Sequence, residues 1–248
     1  MPSLRVAITG ASSGIGAALA EVLAGRGDRV ALIARREREL RAVAARCGPE
    51  ALVIVADVTR REEVRRAVDE TIARFGGIDV WVNNAGRGIS TPPSELTDAD
   101  IDEMMTVNVK SALYGMQEVL PHFKARGTGQ VVNISSMLGR IPFALIRAAY
   151  SASKHYLNAL TANFRQEVQQ THPGIQFTIV SPGIVHTDFG LRALHGGPDS
   201  RSFADAQSAG EVAAIIARAI DSRAAEVYTP ANGRERVIAY YSSLGAPS

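Results

Sequence analysis

The sequence predicts an α/β fold, a doubly wound parallel sheet of about seven strands with helices on both faces, in one domain spanning residues 1–248. Three observations predict it. Short Val/Ile-rich runs are apolar on both faces rather than alternating, as in parallel strands covered from each side. Longer segments with apolar residues at helical spacing separate these runs. A glycine-rich turn, Gly10 to Gly16, follows the first run and opens the first helical pattern. Strand–helix–strand repetition with right-handed crossovers then yields a doubly wound sheet.

The predicted strands are Arg5–Ile8, Arg29–Ile33, Ala51–Val55, Asp79–Val82, Gln130–Ile134, Gln176–Val180 and Ala225–Tyr228. Four apolar stripes mark helices between them: Ile15, Leu19, Val22 and Leu23; Val64, Val68, Ile72 and Phe75; Leu157, Leu160, Phe164 and Val168; Val212, Ile215, Ile216 and Ala219. Thr59 with Glu62 reads as a capping box, and Thr97 with Asp100 as a second. Two segments read as loops, Gly86 to Pro93 and Thr187 to about Asp205. The second carries Gly190, Gly196, Gly197 and Pro198, and is expected to form a lid over substrate.

Bulk properties narrow the function. At 46% hydrophobic the chain can bury a large core. The net charge of +2 is spread among both signs, which gives no reason to expect nucleic-acid binding by electrostatics. The single cysteine, Cys47, follows Leu40, Val43 and Ala44 at helical spacing and is expected to be a packed thiol. The five histidines show no metal-ligand spacing, so no metal site is expected. Met1 to Val6 has no charged-then-apolar signal pattern, and no apolar run approaches the roughly 18 residues of a spanning helix. A soluble, cytoplasmic protein without a membrane partner is expected.

The first chemical motif is Thr9-Gly10-Ala11-Ser12-Ser13-Gly14-Ile15-Gly16. Glycines there permit a sharp turn and let a phosphate approach a helix N-terminus, where free N–H groups and the dipole favour an anion. About twenty residues past the glycines, an acidic residue would bind the ribose 2′-hydroxyl of NAD. Ala34 stands there instead, followed by Arg35 and Arg36. A guanidinium matches a 2′-phosphate, so NADP(H) is expected over NAD(H).

Strand ends supply the rest. Asp57-Val58 ends strand 3, where Asp57 is either an acceptor for an adenine amino group or a turn residue. Asn83-Asn84-Ala85-Gly86 ends strand 4, with the amides either tying strand ends together or meeting a ligand. Asn108 interrupts the apolar stripe of Ile101, Met104, Met105, Ala112, Met116 and Val119, as a satisfied core amide or as part of a site. Ser135-Ser136 follows strand 5 with no Gly-x-Ser-x-Gly elbow, which argues against a serine nucleophile. Pro182-Gly183-Ile184-Val185-His186-Thr187 follows strand 6. Tyr150 and Lys154 are four apart, hence on one face of a helix. A neighbouring cation favours phenolate, so Lys154 is expected to lower the Tyr150 pKa and make the phenol a usable acid/base.

In this order and spacing the motifs resemble the short-chain dehydrogenase/reductase family, single-domain branch, over residues 4 to about 187. The resemblance implies a Rossmann-type fold and an oxidoreductase moving hydride between NADP(H) and a carbonyl or secondary alcohol, as a carbonyl reductase or alcohol dehydrogenase. It implies Tyr150 as general acid/base and Lys154 as its electrostatic partner and ribose ligand. Ser136, which is followed by Met137-Leu138-Gly139, would hold the carbonyl oxygen, and Asn108 would support a water-linked relay to Lys154. It further implies that Gly10, Ser12, Ser13, Gly14, Ile15, Gly16, Arg35, Asp57, Val58, Asn84, Ala85, Gly86, Pro182, Gly183, Ile184 and Thr187 contact the cofactor.

A homo-oligomer, dimer or tetramer, is implied too. The chain departs from the family's Val-Asp-Gly-Gly ending, reading Glu226-Val227-Tyr228-Thr229-Pro230 and then Tyr240-Tyr241, which puts the tetramer in doubt. The Tyr240-Tyr241 tail would pack on its own subunit, on a neighbour or in the substrate pocket. Two competing functions are a non-catalytic NADP(H)-binding regulator on the same fold and a sugar-nucleotide epimerase or dehydratase. The pocket is expected among Arg87–Thr91, Leu138–Arg147 and residues 187–205. Its lining would be apolar, with Arg140 or Arg147 as the alternative contact for an acidic substrate.

Overall fold

The computed structural model describes residues 3–244, so Met1 and Pro2 of the N-terminal reading lie outside it. The chain runs β1 (Arg5–Thr9), α1 (Gly14–Gly25), β2 (Arg29–Ala34), α2 (Glu37–Cys47), β3 (Leu52–Val55), α3 (Arg61–Phe75) and β4 (Val80–Asn83). It continues through α4 (Asp98–Met105), a π turn (Thr106–Lys110), α5 (Ser111–Arg126), β5 (Gly129–Ile134), α6 (Ala148–Gln169) and β6 (Ile175–Ser181). It finishes with α7 (Ala209–Ser222), β7 (Glu226–Tyr228) and α8 (Gly233–Ser243).

All seven strands join one parallel sheet in the order β3-β2-β1-β4-β5-β6-β7. The order reverses between β1 and β4, where Val6 pairs with Val80 and Ile8 with Val82. A sheet of this kind opens a ligand crevice outside the carboxyl ends of its strands at that reversal.

Successive side chains leave a strand on opposite faces, so the unbroken apolar runs feed two cores. Ile8, Leu32, Val82 and Val132 face α1 and α7. Ala7, Ile33, Trp81, Val131 and Phe177 face α3, α5 and α6. The second core contains a closed polar chain. Trp81 Nε1 donates to Asn83 Oδ1 at 2.7 Å, Asn83 Nδ2 to Asn133 Oδ1 at 2.8 Å, and Asn133 Nδ2 to Thr161 Oγ1 at 2.8 Å. Asn83 is thus the structural amide of its pair. Asp79 lies just before β4 rather than within it. Burial pushes its carboxyl up, but bonds from Arg5 and Arg126 outweigh this and hold it well below the usual carboxylate range.

Three local expectations change. The Thr59–Glu62 box does not form: α3 begins at Arg61, and Asp57 Oδ1 takes the Thr59 hydroxyl and N–H while Glu63 accepts from the Asp57 N–H. The carboxylate at the end of β3 outcompetes the backbone for Thr59. The Thr97–Asp100 box does form, and Ser208 with Glu211 makes another at α7. Ile101 is exposed rather than part of the buried stripe. Cys47 is only half-buried, and burial pushes its thiol up to about 11.

Residues 187–205 are not a free loop. Leu194 bridges Ile89 in parallel, with Leu194 N–H donating to Gly88 O at 2.8 Å and Ser90 N–H to Leu194 O at 3.0 Å. His195, at φ 63, meets Asp100 Oδ1 at 2.7 Å. The segment is fastened across the cleft to residues 88–90 and to α4. The tail is helical, and it packs on its own subunit: the Tyr241 hydroxyl donates to Arg140 O at 3.0 Å and Arg236 lies over the Phe143 ring.

Candidate active site

The glycine-rich turn sits at the reversal of strand order. Gly10 has φ 67, and a Cβ there would come within 2.8 Å of Ala85 Cα. A Cβ on Gly16 would come 2.5 Å from Asn84 Nδ2. Asn84 Nδ2 donates to Thr9 O, and the Thr9 hydroxyl accepts from the N–H groups of Asn84 and Ala85. Asn84 and Ala85 therefore brace the turn against the end of β1. Ser13 occupies the N-cap of α1 without capping it, so the first N–H groups of that helix point into the crevice. A cavity of about 430 Å³ runs along this turn, walled by Ser12, Ser13 and Gly14 on one side and His186, Thr187 and Asp188 on the other. Thr187 also reaches Gly14, where a Cβ would lie 3.3 Å from its methyl group.

The two arginines after β2 point to different partners. Arg35 is largely exposed and lies 3.7 Å from Asp57, a loose ion pair at the crevice edge. Arg36 Nη2 donates to both Ser12 Oγ and Ser13 Oγ at 2.8 Å. Arg36, which the sequence places beside Arg35 without a separate role, thus lies over the serines of the glycine-rich turn. Val58 packs against the second core. Gly183 lies against Pro230, and Ile184 O accepts from Gln207 N–H at 2.9 Å, tying the turn after β6 to the start of α7.

Helix α6 carries the tyrosine in its first turn, where the helix dipole favours negative charge. Tyr150 is almost fully buried, and its ring packs edge-on against Phe189 of the fastened segment at 5.6 Å. Burial pushes its phenol up to about 12, while the Ser136 hydroxyl and the Arg147 charge pull it down. Lys154 Nζ lies 5.7 Å from the Tyr150 ring centre and donates to Ile134 O at 2.9 Å. Directed at the strand end, it leaves burial in charge of Tyr150. The expected Lys154-driven lowering is therefore not what this geometry produces. Ser136 is positioned by accepting from Leu138 N–H at 3.1 Å; Ser135 Oγ instead faces Gly139 and has no partner among the described residues.

Asn108 lies in the π turn, a local widening common at functional sites. Its Oδ1 accepts from Arg87 N–H at 2.8 Å, and its Nδ2 donates to Arg87 O and Ser153 Oγ. A Cβ on Gly86 would lie 3.1 Å from Asn108 Oδ1 and 3.6 Å from Lys154 Nζ, so these three converge. Among the described residues, no cluster of metal-ligating side chains exists and no helix is long and apolar enough to cross a membrane.

Burial pushes the Lys154 ammonium down to about 8 from its ordinary 10.5. Between those values the unfolded chain holds a proton the folded chain has released, so stability rises with pH there and the penalty is carried in full below 8. Lys154→Met is expected to melt above the wild type at pH 7, by at most about 3 kcal/mol of stability. The gap should close as pH approaches 10.5, which melting curves from pH 7 upward would show.

Comparison with known proteins agrees with this geometry. The sequence model described as short chain dehydrogenase matches residues 5–194. An oxidoreductase of Staphylococcus saprophyticus is 39% identical over 189 residues, covering 73% of this chain and 77% of that protein. A short-chain dehydrogenase from Streptomyces avermitilis superposes with a TM-score of 0.84 at 30% identity, over 98% of this chain and 94% of that one. A short-chain dehydrogenase from Sphingobium yanoikuyae, solved in complex with NADPH, superposes with a TM-score of 0.82 at 28% identity, over 100% and 98%. With this sheet order, glycine turn and buried Tyr150–Lys154 pair, the chain belongs to the short-chain dehydrogenase family and is an oxidoreductase of that family.

Proposed function

We propose that the protein is an NADP(H)-dependent carbonyl reductase or alcohol dehydrogenase in which Tyr150 is the general acid/base. The observation that carries this reading is the convergence of the Tyr150 phenol, the Ser136 hydroxyl and buried Lys154 beside the glycine-rich turn. A dinucleotide fits the residues present: a cavity of about 430 Å³ runs along Ser12, Ser13 and Gly14, and the N-terminus of α1 is uncapped. The cofactor supplies the hydride chemistry that no side chain possesses.

The side chains handle the proton and the oxygen. With its pKa near 12, the phenol is protonated at neutral pH and ready to donate to a carbonyl oxygen. Ser136 shares that oxygen, so two donors meet the charge that develops on it. Lys154 supplies positive charge beneath the site and a group for the ribose hydroxyls. Asn108 holds Gly86 and Arg87 in place. Both polar atoms of its side chain have partners, so a relay to Lys154 at this position runs over its backbone. Arg36, held over Ser12 and Ser13, and Arg35 at the rim supply the charge for a 2′-phosphate. The family's homo-oligomer is part of this reading.

The test is consumption of NADPH and NADH by the purified protein across a panel of ketones and aldehydes. Substrate-dependent NADPH consumption is expected. Tight NADPH binding without turnover of any compound would favour the regulator reading instead.

A further inference from the structure

The arginines near the cleft differ in one respect. Arg87 pairs with Glu103 at 3.0 Å, Arg140 with Glu226 at 2.5 Å, and Arg192 with Asp188. Arg236 lies over the exposed Phe143 ring. Arg147 has no carboxylate partner among the described residues. Its Nη1 donates to Ile89 O at 2.9 Å, and its Nε and Nη2 meet no acceptor there. It stands three residues before Tyr150 at the start of α6, and its charge acts on the phenol. Half-buried, it loses hydration without gaining a counter-charge, a costly arrangement that sites tolerate when a ligand supplies the missing charge.

A second donor lies beside it. The Ser90 hydroxyl is buried and has no partner among the described residues. It and the guanidinium border the same point, since a Cβ on Gly197 would come 2.5 Å from Ser90 Oγ and 3.0 Å from Arg147 Nη2. On the other side, a Cβ on Gly88 would come 2.8 Å from Arg147 Nη1 and 3.0 Å from Phe189. Glycine on both flanks lets the backbone at Gly88 and Gly197 pack close against these donors, next to the Tyr150–Phe189 contact. A planar fork with spare N–H groups and an adjacent hydroxyl match a carboxylate.

We propose that Arg147, with Ser90, determines specificity by binding a carboxylate on the substrate, which is therefore an oxo acid with an apolar body. The apolar body answers to Phe189 and to exposed Leu191 on the fastened segment. The proposal rests on the oxidoreductase reading for its carbonyl, while the carboxylate site is tested separately by binding.

The probes are 2-, 3- and 4-carboxybenzaldehyde and their methyl esters, given to the full-length protein with NADPH. At least one acid should exceed its ester in kcat/KM by about tenfold or more, the size of a lost charged hydrogen bond. Arg147→Gln should erase that ratio, the acids losing about tenfold or more relative to their esters, and Arg147→Lys, which keeps charge without the fork, should retain part of it. Equal kcat/KM for acids and esters in the wild type, or equal losses for both in Arg147→Gln, would overturn the proposal. Melting curves check folding; if Arg147→Gln does not fold, Arg147→Lys and Ser90→Ala carry the same comparison, and an undiminished ratio in both overturns it. If no probe turns over, calorimetric binding decides. Carboxylate binding lost in the Arg147 variants upholds the site and counts against the carbonyl-reductase reading for these probes, whereas absence of carboxylate-dependent binding rejects the site.

Discussion

Tyr150→Phe is expected to fold, bind NADPH as the wild type does, and lose turnover by about 10²- to 10⁴-fold, the range for a positioned general acid/base. The ring stays, and with it the packing on Phe189 and the burial between α6 and the fastened segment. Only the hydroxyl facing Ser136 is removed. Calorimetric NADPH binding and steady-state rates on the best carbonyl of the panel measure the two halves. A near-normal rate would reassign the proton donor. Direction of reaction gives a matching pH dependence. Carbonyl reduction uses the protonated phenol, so this group leaves it flat through neutral pH. Alcohol oxidation uses the phenolate and should climb as pH rises toward about 12.

Arg35→Asp carries the second large effect. It removes a cation facing Asp57 at the crevice edge and places a carboxylate where a 2′-phosphate would lie. Loss of a charged hydrogen bond is worth about 1.5–3 kcal/mol. NADPH kcat/KM should therefore fall about tenfold to a hundredfold, and NADH should be unchanged or improved. The ratio of the two specificity constants is the measurement. Because Arg36 bridges Ser12 and Ser13, Arg36→Ala is expected to lower NADPH use further when combined with Arg35→Asp. A cofactor preference unmoved by Arg35→Asp would remove that residue from the assignment.

Much of this was legible because it is local. Most strands are short apolar runs rich in Val and Ile, and each observed strand lies within a residue or so of its predicted bounds, from Arg5–Thr9 to Glu226–Tyr228. Gly10 to Gly16 announce a tight turn wherever they fall, and Tyr150 and Lys154 share a helix face by spacing alone. The Thr59–Glu62 box failed for a reason that pattern cannot contain: Asp57, two residues away, holds the threonine hydroxyl at 2.8 Å. Helix α8 escaped notice because its exposed residues, Ile238 and Tyr241 among them, make no apolar stripe; its contacts with Arg140 and Phe143 place it.

The sequence by itself determined the sheet class, the glycine turn, the chemical inventory of the cleft and the family that inventory resembles. Only the tertiary structure decided how neighbouring groups are turned and partnered. It turned Arg36 rather than Arg35 onto the serines. It aimed Lys154 at Ile134 O, so that burial governs Tyr150. It fastened residue 195 to Asp100 across 95 positions of chain, and left Arg147 without a counter-charge. Neighbours in sequence share composition and spacing, but a single residue step reverses or rotates a side chain, and burial and partnership depend on which elements the fold brings together.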